Sequence, residues 1–109
     1  KMINGANFST TNGYCMSRAG SVVGISCSVQ CSVVTTGGTV DCELRKNGAV
    51  VLAVQETINA TGDWNFYATQ ARGTDTFNAG DVLTFSMTFG TFVGTLHDTC
   101  TLAELQFDT

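Results

Sequence analysis

The chain has 109 residues, enough for one ordinary domain whose core needs neither a metal nor several disulfides. Five Lys and Arg against nine Asp and Glu give a net charge of -4, which argues against nucleic acid as a partner, because holding a phosphate backbone relies on neutralising cations. No apolar stretch approaches the roughly 18 uninterrupted residues of a membrane span, so membrane insertion is not expected either.

Proline is absent, glycine occurs 12 times, only 13% of residues are charged, and Thr, Ser and Val are abundant. That profile suits pleated strands and tight turns better than helices. Lys1, Met2 and Ile3 lead into Asn4 and Gly5 without the apolar run of a signal peptide. The chain reads as a piece of something longer, with residues 1–16 as a lead-in and a single domain spanning 1–109. Asn7-Phe8-Ser9 and Asn59-Ala60-Thr61 match the glycosylation triplet, which arises by chance in a chain this rich in Asn, Ser and Thr.

In chain order, Ile25, Cys27, Val29, Cys31 and Val33 alternate with Ser26, Ser28, Gln30 and Ser32, which predicts a half-buried strand. After the turn cluster Thr35-Thr36-Gly37-Gly38, Val40, Cys42 and Leu44 alternate with Asp41, Glu43 and Arg45, and this second strand is expected to pair with the first as a hairpin. Asn47-Gly48, both tolerant of positive φ, then turns the chain into the apolar run Ala49 to Val54.

Trp64 to Ala71 predicts a further strand with Trp64, Phe66 and Ala68 on one face and Asn65, Tyr67 and Thr69 on the other. A loop from Arg72 to Asp81, turning at Gly73 and Gly80, leads into Val82 to Phe89, where Leu83, Phe85, Met87 and Phe89 share a face. A short strand from Thr91 to Leu96, a turn at His97-Asp98 and a last strand from Thr99 to Phe107 complete the pattern. About eight strands with no helical period imply an all-β fold, an antiparallel two-sheet β-sandwich of jelly-roll or Greek-key type.

Cys15, Cys27, Cys31, Cys42 and Cys100 are an odd number, so at least one thiol is left over. Cys27, Cys31 and Cys42 fall on the apolar face of what should be adjacent strands, where cysteine acts as a small core hydrophobe. A disulfide from Cys27 or Cys31 to Cys42 stays open for an oxidising setting. With His97 and Cys100 these cysteines make a zinc set by count alone, and their spacings match no standard site, so no metal and no cofactor are expected.

His97 is the single histidine, and any Ser-His-Asp or Cys-His mechanism would have to pass through it. No Gly-x-Ser-x-Gly, His-Glu-x-x-His or phosphate-cradling glycine loop occurs, and Asp63, Asp75, Asp81 and Asp98 are scattered among turns. An enzyme is not expected. Trp64 and Tyr67 lie on opposite faces of one strand, and the exposed one, beside Asn65 or Arg72, could stack on a sugar ring. Trp64, Asn65, Tyr67, Arg72 and Asp75 are therefore the candidate receptor-binding residues, with Thr57 to Asp63 and Arg72 to Gly80 as the contact loops. Phe89, Phe92, Val93 and Leu102 sit in segments apolar on both faces and are the candidate oligomer interface.

Ser17-Arg18-Ala19-Gly20-Ser21 before Gly24-Ile25-Ser26, then Glu43-Leu44-Arg45-Lys46-Asn47-Gly48, then Phe77-Asn78-Ala79-Gly80-Asp81-Val82-Leu83, and an ending Leu105-Gln106-Phe107 follow one another in order. In that order and spacing the chain resembles the distal β-sandwich head domains of bacteriophage tail fibres and related virion proteins. The resemblance implies a homotrimer with a shape similar to tumour-necrosis-factor-like jelly rolls. It further implies a place in the virion, on a tail fibre or the capsid surface, with a host cell-surface glycan or protein as receptor and other virion proteins as neighbours. It brings no catalytic residues with it. A capsid decoration protein and a monomeric carbohydrate-binding module are the alternatives. Three copies of one weak site would combine by avidity in the first reading.

Overall fold

The structure, a computed structural model, describes residues 12–108. Strands fill most of this span: β1 (Tyr14–Cys15), β2 (Gly20–Thr36), β3 (Gly38–Lys46), β4 (Ala49–Ile58), β5 (Gly62–Thr69), β6 (Asp75–Phe77), β7 (Val82–Gly90) and β8 (Val93–Phe107). The described residues contain no helix. Two antiparallel four-stranded sheets result, one in the order β1-β7-β3-β4 and the other built on β2, which takes β8 on one flank and β5 and β6 on the other. This is the expected all-β sandwich, and most of its connections cross from one sheet to the other.

The β3–β4 hairpin forms at Asn47-Gly48 as read from the sequence, with φ of 50° and 89° at the two turn residues. The hairpin expected between the two strands before it does not form. β2 and β3 lie in facing sheets, with only Gly37 between them. Period-two alternation reports which side chains share a face and says nothing about whether that face meets a neighbour beside it or a sheet opposite it. Both strands carry an apolar face, and stacking them buries both at once. Gly38 suits this crossing, because a Cβ there would collide with the Gly90 carbonyl oxygen and the Phe92 nitrogen.

The two expected final strands are one, β8, and no turn occurs at His97-Asp98. Instead Asp98 takes φ 55° and the register against β2 passes from Cys100 opposite Ser28 to His97 opposite Gln30, so β8 carries one extra residue there. The local polarity that suggested a turn belongs to a β-bulge. A second bulge, at Val23 on β2, lets Val22 and Ile25 both face inward although they are three apart. Two further elements were not expected. β6 lies inside the segment read as a loop and buries Phe77, while β1 and the buried Met16 draw the end of the lead-in into the sandwich. The sequon at Asn7 lies outside the described residues.

The core is the layer between the sheets: Val22, Ile25, Cys27, Val29 and Cys31 from β2 meet Val40, Cys42 and Leu44 from β3, with Ile58, Phe66, Phe77, Leu83 and Phe85 closing it. Each fully buried Leu or Phe contributes on the order of 1.5–3 kcal/mol relative to an exposed one. This packing fixes β2 as a rigid central strand, and its outer face becomes the platform for the candidate site.

Candidate ligand-binding face

With Ile25, Cys27 and Val29 turned inward, alternation turns Gly24, Ser26 and Ser28 outward along the middle of the sheet. The register sets taller residues on both sides of this small column. Tyr67 and Leu102 flank Ser26, Asn65 and Cys100 flank Ser28, and Thr69 and Glu104 flank Gly24. The result is a trough floored by β2 and walled by β5 and β8. It comprises two depressions of about 200 and 270 Å³ that share Ser26, Tyr67 and Leu102.

Tyr67 is 75% exposed and Leu102 45%, so two apolar side chains face water across a floor of serine. Ser28 Oγ donates to Asn65 Oδ1 at 2.7 Å, which fixes the carboxamide and leaves its Nδ2 as a donor. At the other end the Glu104 side chain leans over Gly24, its Oε2 lying 3.3 Å from where a Cβ on Gly24 would stand. Glu104 is the one charged residue among those lining the two depressions, and no Lys or Arg joins it.

The five candidate receptor-binding residues do not come together. Asn65 and Tyr67 belong to the trough. Trp64 turns the other way, packs against the core and donates Nε1 to the Ala60 carbonyl at 3.1 Å. Arg72 pairs with Asp108 at 3.0 Å, and Asp75 on β6 accepts from Gln70 Nε2 at 3.1 Å, so both are engaged where β5 hands over to β6. Of the contact loop Thr57 to Asp63, only residues 59–61 lie outside strands.

Ser26, Ser28 and Glu104 were not singled out from the sequence. The alternating small polar residues of β2 were visible, but the register that sets Tyr67 and Leu102 on either side of them was not. Leu102 also leaves the expected interface group. It pairs with Ser26, whereas Val93 pairs with Thr36, ten positions further along β2.

The other three interface candidates do gather. Phe89 and Phe92 stack with ring centroids 6.1 Å apart and, with Val93, Gly94 and Leu96, line an open cleft of about 450 Å³ where β7 passes into β8. Phe89 lies opposite Val40, on the core side of β7, and is nevertheless 55% exposed. The sandwich is open along this edge, and core-type residues face outward through it.

The cysteines are all free thiols. Cys27 and Cys42 are not on adjacent strands as expected but meet from facing sheets, with their thiols within hydrogen-bonding reach across the core. That contact and burial push the Cys42 thiol well above its ordinary range. His97 is exposed on the bulge with Nδ1 3.2 Å from Asp98 Oδ2. Among the described residues no three His, Cys, Asp or Glu side chains stand together as a metal set.

No protein-family model, no curated protein and no solved structure matches the chain. The trough therefore speaks through its own chemistry. It offers an exposed aromatic, a fixed carboxamide, serine hydroxyls and one carboxylate, an arrangement suited to holding a ligand by stacking and hydrogen bonds.

Proposed function

We propose that the chain is a non-enzymatic binding head that assembles as a homotrimer and engages a host-surface glycan or protein from a virion, on a tail fibre or the capsid surface. The observation that carries this reading is the open Phe89-Phe92-Val93 edge. A soluble domain rarely leaves stacked core-type aromatics facing water unless another surface covers them. A second and third copy would cover them without any change of fold, and closed rotational symmetry is the usual form of such an assembly. The resemblance in sequence order to virion fibre heads supplies the trimer and the virion setting, with other virion proteins as neighbours. Three troughs on one particle would then combine weak contacts by avidity. A capsid decoration protein would share the trimer and use its outer surface on coat subunits instead.

Light scattering of the purified chain at several concentrations, with and without reductant, tests this. A trimer independent of concentration in both buffers is expected, and the double substitution Phe89→Ser, Val93→Ser should release folded monomers. A stable monomer would overturn the reading. The trough with its exposed Tyr67 then favours the monomeric carbohydrate-binding module.

A further inference from the structure

We infer that the trough between Tyr67 and Leu102 is a binding site for a neutral oligosaccharide lying along β2. The inference rests on reading the chain as a binding module but not on its oligomeric state, so a monomer that binds sugar at this face would keep it.

Shape comes first. The column Gly24, Ser26, Ser28 runs about 13 Å at the usual 3.3 Å rise per residue, and both flanks stand higher than the floor. An elongated ligand narrow enough to lie between Tyr67 and Leu102 fits such a channel.

Chemistry narrows the class. A sugar ring presents an apolar C–H face and a rim of hydroxyls. The apolar face calls for an exposed ring such as Tyr67, the one exposed aromatic among the residues lining the two depressions. The hydroxyls call for fixed donors and acceptors, and the trough holds Asn65, already oriented by Ser28, and the carboxylate of Glu104 at the far end. Groups fixed before binding lose little conformational freedom when the ligand arrives.

Charge and backbone pairing exclude the other elongated ligands. With no Lys or Arg in the lining and a carboxylate present, an acidic polysaccharide or a nucleic acid would meet repulsion without compensation. A peptide strand gains affinity by adding to a free sheet edge. Here β2 is already paired on both flanks, so its face offers no free ladder of amides and carbonyls.

The test is a titration of the ¹⁵N-labelled chain with neutral cello-, xylo-, manno- and malto-oligosaccharides, with oligogalacturonate as the acidic comparison. At least one neutral series should shift amides confined to residues 24–28, 65–69 and 100–104. Tyr67→Ala should weaken that binding about tenfold, the loss expected for one aromatic contact, while Tyr67→Phe keeps it. Ser26→Phe, which raises the floor, should abolish binding with the spectrum otherwise native. Silence of these amides toward every neutral series at millimolar concentration would overturn the inference. So would a preference for oligogalacturonate at this face, or Tyr67→Ala binding as the wild type does. Protein-receptor binding elsewhere, with the trough silent, would sink this inference and leave the binding head standing.

Discussion

The carboxamide of Asn47 joins two separate turns: its Nδ2 donates to Asp81 Oδ1 at 3.0 Å, and its Oδ1 accepts the Val82 amide at 3.0 Å. Its backbone amide also donates to the Val82 carbonyl at 2.9 Å. One residue thereby turns β3 into β4 and pins the start of β7 beside β3.

Two properties of Asn47 can be separated by substitution. Asn47→Gly keeps the freedom to adopt φ 50° and loses both side-chain bonds, so a cost of about 1–2 kcal/mol is expected. Asn47→Ala loses the bonds and adds the strain of a Cβ in the left-handed region, about another 1 kcal/mol. Urea unfolding of the two variants checks the order. A glycine variant as stable as the parent would show that the bridge between turns contributes nothing.

Asp81 makes acid stability depend on the same bridge. The Asn78 backbone N–H, at 2.8 Å from Oδ2, and then the Asn47 carboxamide hold its carboxyl below the usual carboxylate range, with Lys46 adding a smaller effect in the same direction. A carboxylate with a depressed folded value contributes stability that is fully present above its unfolded value and is lost as pH falls through the folded one. Melting temperature followed from neutral to strongly acid pH should therefore fall less steeply for Asp81→Asn than for the parent. Parallel acid limbs would rule out a role for this carboxyl.

Faces were legible in the sequence and partners were not. The alternation of Ile25, Cys27, Val29 and Cys31 gave the inner side of β2 correctly because burial on one face imposes period two on a strand. Asn47-Gly48 gave its hairpin because local conformation decides it. The choice of β5 and β8, rather than β3, as neighbours of β2 depends on contacts far apart along the chain, which no local pattern encodes. The bulge at Asp98 shifts parity in the middle of β8, and its polar residues read as a turn between two strands, while the bulge at Val23 shifts parity within β2. The trough was half legible for the same reason: Trp64 and Tyr67 could be set on opposite faces of β5, but which of them faces outward depends on where the facing sheet lies, and the position of Tyr67 across Ser26 from Leu102 is a matter of register.

Thr101 offers a test of core polarity. It is 0% exposed, faces inward opposite Cys27, and its Oγ1 has no hydrogen-bond partner among the described residues. A buried hydroxyl left unsatisfied costs about 1–3 kcal/mol, and valine fills nearly the same volume without it. Thr101→Val should raise stability by about 1 kcal/mol in urea unfolding. A destabilised variant would mean that the hydroxyl has a partner, such as a buried water, that replaces the missing bond.

The thiols report on both the core and the trough. The thiolate is the reactive form, and Cys27, Cys31 and Cys42 are buried, with Cys42 further held protonated by its contact with Cys27 and by burial. Cys15 is exposed, and Cys100 is partly exposed on the trough wall. Ellman's reagent should therefore titrate Cys15 and Cys100 in the native chain and reach the other three only as fast as the core opens. Simultaneous reaction of all five would show that the sandwich opens readily under native conditions. The two accessible thiols also locate a bound ligand, because a molecule seated beside Ser28 shields Cys100 and leaves Cys15, on β1 in the other sheet, untouched. Slowing of Cys100 alone by the neutral oligosaccharide that shifts the trough amides is the expected result, and equal slowing of both thiols would point to a general effect rather than occupancy of the trough.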